Sequence, residues 1–449
     1  MADQVRALPV RSVAALRAEL RGRILVPTDA DYARATRGRG LAPVRDRRPA
    51  LIVEPEGPVD VARALAHALD RGLDVSVRSG GNDVQGASTT SDGLLLDLSR
   101  LNRIELDPGS RIVRTGAGVR AGELTAAGAP HGLVPMVGMN PNVGLGGLTL
   151  GGGMGWFAGR FGATVDHLLA AEVVTADGEI VRADAESHPD LYWALRGGGG
   201  NFGVVTSFTY RMQPVAQVLA GDLGFAAEPA EMLRFLRTFL ADGPDELEIG
   251  ALFTLAPDPV ALVRLCWSGD PAAGEAALRP LRRFAPAIID SVRLQGYASF
   301  ANAVSPHDQM VCRGGELDGL DDASIDALVA LIDAGGPQGC MVGVLHFIHG
   351  ALCDPPSDTP FLRTPGHILY NIVAPWQGPE LASDQVSWAE AASEAMRAVT
   401  AESTYINYLS YAGEQYVRAA YGRHYERLRG IKRRYDPGNV FHNNRNIPA

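Results

Sequence analysis

Three clusters of glycine are the residues whose type and spacing could serve chemistry. They lie at residues 80–81, 144–155 and 197–203. Consecutive backbone N–H groups in such turns form concavities that bind anions, and residues without a side chain let the backbone lie against a flat ring. Tight turns in a β-rich domain would explain one cluster but not three. The pattern predicts a site for a large dinucleotide with a pyrophosphate and a planar head.

Other nucleotide and metal motifs are missing from the sequence. There is no G-x-x-x-x-G-K-[ST], and the second cluster does not read as G-x-G-x-x-G opening a helix, which argues against P-loop and Rossmann enzymes. H-E-x-x-H is also missing, and His346 and His349 would face opposite sides of a strand. The four cysteines form no C-x-x-C pair. We therefore expect no metal site and reduced, buried thiols.

The amino-acid composition and charge indicate what kind of protein this is and exclude some kinds of partner. The chain has 449 residues, 46% hydrophobic and 20% charged, which is typical of a folded protein with two or more domains. A formal charge of −10 without a basic block argues against nucleic acid as a partner. The N-terminus lacks an apolar h-region, and no run of 18 apolar residues follows it. We expect a cytoplasmic protein without a membrane partner.

Regular elements must hold the first glycine turn in place. Apolar positions at helical spacing predict helices over residues 11–22 and over "PVDVARALAHALDRG". The strand "DVSVRS" follows the second helix directly and leads into the turn. From residue 93, short β-rich runs broken by Asp107-Pro108-Gly109 indicate hairpins or a meander.

The second and third clusters also lie among predicted elements. The stretch 137–156 has too many apolar residues for a flexible linker. A hairpin around Asp177-Gly178, a short helix over "HPDLYWALRGGGG" and a strand over "NFGVVTSFTYRM" follow. Beyond residue 214 the glycine clusters stop, and a helix over "PAEMLRFLRTFLADG" and strands over "IGALFTLAP" and "ALVRLCW" predict a second α+β domain that extends to about residue 400.

Several motifs in this order resemble one known family. They are "VRSGGNDVQG", "VGLGGLTLGGGMGW", "AEVVTADGEIV", "HPDLYWALRGGGGNFGVVTSFTYRM" and, near the C-terminus, "YINYLS" and "YERLRGIKRRYDPGNVFHNNRNIP". Together they resemble the FAD-linked oxidases of the vanillyl-alcohol oxidase and p-cresol methylhydroxylase superfamily, in the berberine bridge enzyme-like branch. The resemblance covers about residues 45–214 and 400–449, with a weaker echo in "HGALCDPPSDTPFLR".

The resemblance implies an α+β protein with the two-domain p-cresol methylhydroxylase-type FAD-binding fold. Residues 1–214 would form the first part of the FAD-binding domain, residues 215–400 a substrate domain with an antiparallel sheet, and residues 401–449 the segment that completes the FAD domain. Carried over by position, the residues expected to bind FAD are Arg78, Ser79, Gly80, Gly81, Asn82, Asn140, Val143, Gly144, Gly147, Gly151, Gly152, Gly153, Val205 and Asn443.

Two departures from the family pattern concern the attachment of FAD. In this branch a His at the tip of the first turn and a Cys in the later glycine motif normally bond to the flavin. Here Asn82 and Asn140 occupy those positions. Neither amide is a nucleophile that could make such a bond. We therefore expect FAD to be bound non-covalently, with Asn82 limited to hydrogen bonding.

The segment "YINY" resembles the part of the family that supplies a catalytic tyrosine. In an extended segment Tyr405 and Asn407 would share a face and Tyr408 would take the other, so one tyrosine could point at the flavin. We choose Tyr408 as the proton acceptor, with Tyr405 or a packing role as the alternatives. A phenol with a pKa near 10 needs a neighbour to act as a base.

Three residues of the middle domain are weaker candidates for the substrate pocket. His346, His349 and Tyr370 lie on predicted strands, where a histidine more often packs in the core.

The function implied by the resemblance is oxidation of a small, natural-product-type molecule, with hydride transfer to flavin N5 and O2 as the electron acceptor. Val143, three residues after Asn140, lies where this branch controls oxygen access, and valine there is permissive. The alternatives are a non-redox cyclase or pericyclase that keeps FAD as a structural cofactor, and a protein that binds a ligand without catalysis. Nothing in the sequence indicates an oligomeric state or names the substrate.

Overall fold

The N-terminal part of the chain forms a four-stranded and a five-stranded sheet, which carry the glycine turns, and a two-stranded sheet. The computed structural model describes residues 12–37, 47–83, 86–241, 243–303, 309–377, 383–410 and 413–449. In these three sheets the strands are β1 Arg23–Leu25, β2 Leu51–Glu54, β3 Val75–Arg78, β4 Leu94–Asp97, β5 Ile104–Asp107, β6 Ile112–Gly116, β7 Leu133–Val134, β8 Leu168–Val174, β9 Ile180–Asp184, β10 Val204–Arg211 and β11 Gln213–Pro214, of which β7 and β11 form the two-stranded sheet. The helices among them are α1 Val13–Glu19, α2 Tyr32–Arg37, α3 Pro58–Asp70, α4 Ala121–Gly128, α5 Leu145–Leu150, α6 Ala158–Phe161 and α7 Pro189–Leu195.

The first sheet has the strand order β1-β2-β4-β3, and β4 pairs in parallel with both β2 and β3. The expectation of a hairpin or meander from residue 93 is therefore wrong for β4, and it holds only for β5 and β6, which pair antiparallel. Residues 94–96 are all leucine and all buried, which is typical of a strand covered on both faces. The pairing of β3 with β4 brings the chain to the first glycine turn.

The second sheet, in the order β5-β6-β10-β8-β9, is antiparallel throughout. The hairpin predicted around Asp177-Gly178 joins β8 to β9, and the predicted helices over residues 58–72 and 188–200 are α3 and α7. The short helix α5 inside the second glycine cluster was not predicted from the sequence.

A larger sheet dominates the middle of the chain. Its strands are β12 Gln217–Phe225, β13 Leu247–Thr254, β14 Ala261–Trp267, β15 Ile289–Asp290, β16 Arg293–Gly296, β17 Gln309–Leu317, β18 Met341–Phe347 and β19 Ile368–Trp376. They follow the order β15-β12-β14-β13-β18-β19-β17, with β16 also beside β12, and all pairs are antiparallel. Helices α8 Pro229–Ala241, α9 Pro271–Arg282, α10 Tyr297–Ala301, α11 Asp322–Asp333 and α12 Ser383–Ala395 belong to this part of the chain.

The hydrophobic cores show which segments fold together. One core joins residues between 16 and 212 with residues between 406 and 447, the latter including α13 Glu414–Tyr421 and α14 Tyr425–Tyr435. A separate core, drawn from residues 219–396, fills the space between the large sheet and α8, α9, α11 and α12. The α+β class is confirmed. None of the helices in the described ranges is long and apolar enough to cross a membrane.

Candidate functional site

A cavity of about 530 Å³ lies between the glycine loops and the large sheet. Its walls come from the turn after β3, the loop and helix around α5, the end of the chain, and the face of the large sheet opposite its helices. Ligand sites are typically concave, of this order of volume, and few in a protein. The cavity therefore holds the candidate site.

The turn after β3 forms the first wall. Ser79, Gly80, Gly81 and Asn82 all line the cavity. A Cβ on Gly80 would come within 2.3 Å of the Gly144 nitrogen, so the two glycine loops touch through their backbones. Gly81 has φ +73°, a left-handed conformation that other residues adopt only with strain. Glycine is thus required at both positions.

The side chain of Arg78 turns away from this wall. Val77 lines the cavity, and the next residue of a strand points to the other face. The Arg78 guanidinium is buried and pairs with Asp97 at 2.6 Å, while it also donates to carbonyl oxygens of α2. Its side chain therefore supports the sheet, and any role toward FAD is limited to its backbone.

The glycines of the second cluster have two different roles. Gly144, Gly147 and Gly151 line the cavity, and a Cβ on Gly147 would meet no protein atom within 4 Å. Gly152 and Gly153 do not line it. With φ values of +122° and +80°, they lie against Phe361 and Thr164, where a Cβ would clash. These two glycines shape the loop, whereas Gly147 leaves space for a ligand.

The two asparagines at the attachment positions both line the cavity and both bond within the protein. Asn82 Nδ2 donates to the carbonyl oxygens of Gly80 and Asn142, each at 3.2 Å. Asn140 Oδ1 accepts from the Asn142 backbone at 2.9 Å. Asn82 therefore joins the two loops to each other, whereas the bond of Asn140 is internal to the second loop.

The other residues expected to bind FAD also reach the cavity. Val143, Val205 and Asn443 are among its lining residues. Asn443 Nδ2 donates to Ser76 Oγ and to the Thr89 carbonyl oxygen, which attaches the end of the chain to the first sheet. The C-terminal segment and the first glycine turn thus meet at one wall.

The tyrosine pair is not extended as the sequence argument supposed. The Tyr408 N–H donates to the Tyr405 carbonyl oxygen at 2.8 Å, so residues 405–408 form a turn. Both tyrosines line the cavity, and their rings stack with centroids 5.7 Å apart. The prediction that they take opposite faces is wrong, because a turn brings residues three apart to the same side.

The two phenols have different partners. Tyr405 Oη accepts from the Gly153 N–H and from Asn407 Nδ2, both at 2.9 Å, and burial raises its pKa to about 12. Among the described residues, Tyr408 Oη accepts only a long contact of 3.4 Å from Asn371 Nδ2, and burial raises its pKa as well. Both phenols are therefore protonated at neutral pH. Tyr405 is held by the glycine loop, whereas Tyr408 remains available to a ligand.

The large sheet supplies a wall that the sequence argument did not identify. Three of its strands line the cavity, mostly through alternate residues, which are Met310, Cys312 and Gly314 of β17, Leu345 of β18, and Asn371 and Val373 of β19; Arg313 of β17 also lines it. The only signal in the sequence is the period of two along each strand, which does not tell which face meets the ligand. Cys312, which lies in none of the motifs that resemble the family, reaches the cavity. Burial raises the pKa of its thiol to about 12.

Among the weaker candidates, only His346 lines the cavity. The Tyr370 hydroxyl lies 2.8 Å from Thr400 Oγ1 in the core on the helix side of the sheet. His349 Nε2 lies 3.5 Å from Glu248 Oε1, and the pKa of His349 is raised, because the bond and charge of Glu248 outweigh a large opposing effect of burial. Neither Tyr370 nor His349 is placed to touch a ligand in this cavity.

The cavity residues suit FAD, the cofactor that the resemblance implies. Gly81, Gly144 and Gly147 expose backbone toward the cavity, as a pyrophosphate requires. At the C-terminal wall, Asn444 Oδ1 and Arg445 Nε are buried polar atoms without a partner among the described residues. Because buried polar groups are nearly always satisfied, these atoms indicate a polar ligand. Arg445 also pairs with Asp83, next to the first turn.

Family models match both ends of the chain. A model described as "FAD binding domain" matches residues 49–184, and one described as "berberine and berberine like" matches residues 404–448. Among curated proteins, (R)-6-hydroxynicotine oxidase of Paenarthrobacter nicotinovorans is 30% identical over 465 residues, covering 95% of this chain and 97% of that protein. An uncharacterized FAD-linked oxidoreductase of Bacillus subtilis is 27% identical, covering 96% and 97%.

Solved structures show the same fold. The crystal structure of 6-hydroxy-D-nicotine oxidase from Arthrobacter nicotinovorans superposes with a TM-score of 0.88 at 26% identity, covering 97% of this chain and 99% of that one. Berberine bridge enzyme from Eschscholzia californica superposes with a TM-score of 0.81 at 21% identity, covering 96% and 97%. The second likeness concerns the fold alone.

Proposed function

Because this chain belongs to the berberine bridge enzyme-like branch of the FAD-linked oxidases in the vanillyl-alcohol oxidase and p-cresol methylhydroxylase superfamily, we propose that it is an O2-using oxidase of a small natural-product-type molecule. Membership makes it a FAD-dependent oxidoreductase. We propose three further properties, which are the electron acceptor, the kind of substrate and the way in which FAD is held. The name of its 30% identical relative includes 6-hydroxynicotine, which supports a small organic substrate.

One observation carries the proposal. A single cavity joins glycine loops that expose backbone to a wall with a tyrosine hydroxyl held by one long contact. When bound, FAD would accept at its N5 a hydride from a substrate C–H bond and would then pass the two electrons to O2. The glycine loops would hold its pyrophosphate through their N–H groups, and the large sheet would exclude water from the substrate.

Tyr408 is the residue that we propose to touch the substrate. Its raised pKa keeps the phenol protonated at neutral pH, so it would act first as a hydrogen-bond donor to a substrate oxygen or nitrogen. Asn371 Nδ2 donates to Tyr408 Oη, which leaves the phenol hydrogen to point elsewhere. Tyr405 would instead support the glycine loop, because its oxygen accepts from Gly153.

We further propose that FAD is bound without a covalent link. Asn82 and Asn140 are not nucleophiles. Cys312 is the one cysteine lining the cavity in the part of the chain that the structure describes, and its raised pKa keeps it as an unreactive thiol. Affinity for FAD would then come from the loops and the C-terminal wall.

Oxygen reactivity can be tested before a substrate is known. The purified protein, loaded with FAD, is reduced anaerobically with dithionite and mixed with air-saturated buffer. Rapid return of the oxidised flavin band supports an oxidase, and return no faster than that of free reduced FAD contradicts it. If a substrate found later is converted without bleaching of the band and without oxygen consumption, the cyclase alternative is correct.

A further inference from the structure

His346 is turned toward the cavity by an irregularity in β18. Val344 pairs with Tyr370 and Leu345 with Leu369, but the next pair is Phe347 with Ile368, so His346 is left without a partner in the ladder. Val342, Val344 and Phe347 belong to the core on the helix side, and by simple alternation residue 346 would belong there too. The bulge moves it to the cavity side instead. Bulges often redirect a side chain next to a functional site.

The backbone at this bulge is held in an unfavourable conformation. His346 has φ +50°, which few residues other than glycine adopt. Such strain persists where the surroundings enforce it, and it concentrates at functional sites. A histidine with only a packing role would gain nothing from this conformation, because the regular strand would already bury it.

The imidazole is buried without being satisfied. His346 is 5% exposed, and its Nδ1 has no hydrogen-bond partner among the described residues. Burial lowers its pKa, although Glu248 opposes this shift, so the ring is neutral at physiological pH and keeps one nitrogen as an acceptor. Glu248 Oε1 accepts from the Gly159 N–H at 2.6 Å and lies 3.5 Å from His349, whereas Glu248 Oε2 is buried without a hydrogen-bond partner among the described residues.

The residues around His346 indicate what kind of ligand would contact its imidazole. On this side the cavity is lined by the apolar side chains of Met310, Leu345 and Val373 and by the two tyrosine rings. Arg313 and Asn371 also line it, and no aspartate or glutamate is among its lining residues on the large sheet. A largely apolar molecule of modest size fits such walls. Such a molecule satisfies the acceptor nitrogen of the neutral imidazole, when water is displaced, if it carries a donor.

We propose that His346 is a substrate-binding residue, whose imidazole accepts a hydrogen bond from an O–H or N–H of a largely apolar substrate. The proposal rests on the proposed function, since it assigns the sheet side of the cavity to the substrate. It narrows the substrate class to hydroxylated or amine-bearing molecules. His346 and Tyr408 would then contact the substrate from two walls, one as an acceptor and one as a donor.

Two probes and two variants test this assignment. Phenol and anisole have the same ring, but only phenol has a donor. Their binding to the FAD-loaded protein is measured by calorimetry, which needs no turnover. His346→Met and His346→Gln are unbranched, similar in length and subject to the same backbone strain, but only glutamine keeps a strong acceptor. Flavin content is determined first from the visible spectrum, so that a failure of the proposed function, seen as lack of bound FAD, is distinguished from a failure of this inference.

We expect the wild-type protein to bind phenol about 3- to 10-fold more tightly than anisole, the effect of one hydrogen bond. His346→Met should abolish this preference and leave anisole binding unchanged, and His346→Gln should retain part of it. The inference is overturned if wild type shows no preference, if His346→Met keeps it, or if both variants also lose anisole binding, which would indicate a packing role.

Discussion

The side-chain amide of Asn82 donates a hydrogen bond to the Asn142 carbonyl oxygen over 3.2 Å, and so links the turn after β3 to the loop before α5. These are the two segments in which the family resemblance places the flavin attachment positions. In this chain Asn82, at the first of the two positions, instead forms a hydrogen bond between two loops of the same chain.

From this relationship we predict that the wild-type protein releases all of its FAD on acid precipitation, with the polypeptide at its unmodified mass. Asn82→His restores the nucleophile of the family pattern at a position that lines the cavity. After incubation with FAD, this variant should gain a fraction heavier by one FAD in intact-mass spectra. A wild-type pellet that stays yellow contradicts the prediction.

Gly147→Val should greatly reduce FAD content with little effect on the fold. The new side chain would meet no protein atom at its Cβ and would project into the cavity, where it competes with the cofactor. Visible absorbance per polypeptide measures the loss, and thermal unfolding of the FAD-free protein measures the fold. Gly57→Val is the control, because a Cβ there also meets nothing within 4 Å but lies outside the cavity. Equal flavin content in the two variants would place FAD elsewhere.

Val143→Leu should slow reoxidation of the dithionite-reduced protein by O2, because the larger side chain narrows the cavity at the position to which the family resemblance assigns oxygen access. Val373→Leu adds the same methylene on the wall formed by the large sheet and should change the rate less. Stopped-flow absorbance of the flavin band gives both rates. Equal slowing in both variants would contradict a specific role of Val143, because any larger side chain in the cavity would then have the same effect.

Tyr405→Phe and Tyr408→Phe should differ in stability. Removing the Tyr405 hydroxyl leaves the buried Gly153 N–H without its acceptor, which costs about 1–3 kcal/mol of unfolding free energy. In the part of the chain that the structure describes, the Tyr408 hydroxyl has only its 3.4 Å contact with Asn371, so its loss should cost much less. Urea unfolding followed by circular dichroism compares the two. A larger loss for Tyr408→Phe would reverse the assigned roles.

Once a substrate is identified, Tyr408→Phe should lower turnover by about 10²-fold or more, the usual effect of deleting a group that transfers a proton or donates a hydrogen bond in the transition state. Flavin content should be unchanged. Wild-type turnover in this variant would exclude Tyr408 from catalysis.

His367 should make stability depend on pH. Its Nδ1 lies 2.7 Å from Glu316 Oε1, and this bond raises the His367 pKa above its ordinary value. A raised folded-state pKa contributes stability that is fully present below the ordinary pKa of about 6.5 and is lost as the pH rises through the raised value. His367→Gln should therefore lower the melting temperature more at pH 5.5 than at pH 9. An equal difference at both pH values would show that the charge of His367 is not responsible.

Glu316 also links this ion pair to the site, because its Oε2 accepts from the Tyr405 backbone N–H at 2.9 Å. The flavin content of His367→Gln should therefore also be measured. It should equal that of the wild-type protein if the substitution affects only stability.

The sequence by itself determined the features that depend on local residue type. The glycine turns and the helix and strand that lead into the first of them were predicted because backbone conformation and hydrophobic period are local properties. The presence of Asn82 and Asn140 at the positions where the family resemblance places attachment residues is likewise visible from the sequence alone. The position of β4 was not predicted, since a short apolar run does not specify parallel or antiparallel partners.

Only the tertiary structure decided which side chains meet in the cavity. The turn that stacks Tyr405 on Tyr408 replaces the extended segment that alternation suggested. Cys312 lies on the cavity wall and Tyr370 in the opposite core, because strand pairing and helix packing choose the buried face of each strand. The bulge at His346 shifts the alternation by one residue, and no periodic pattern in the sequence records such an insertion.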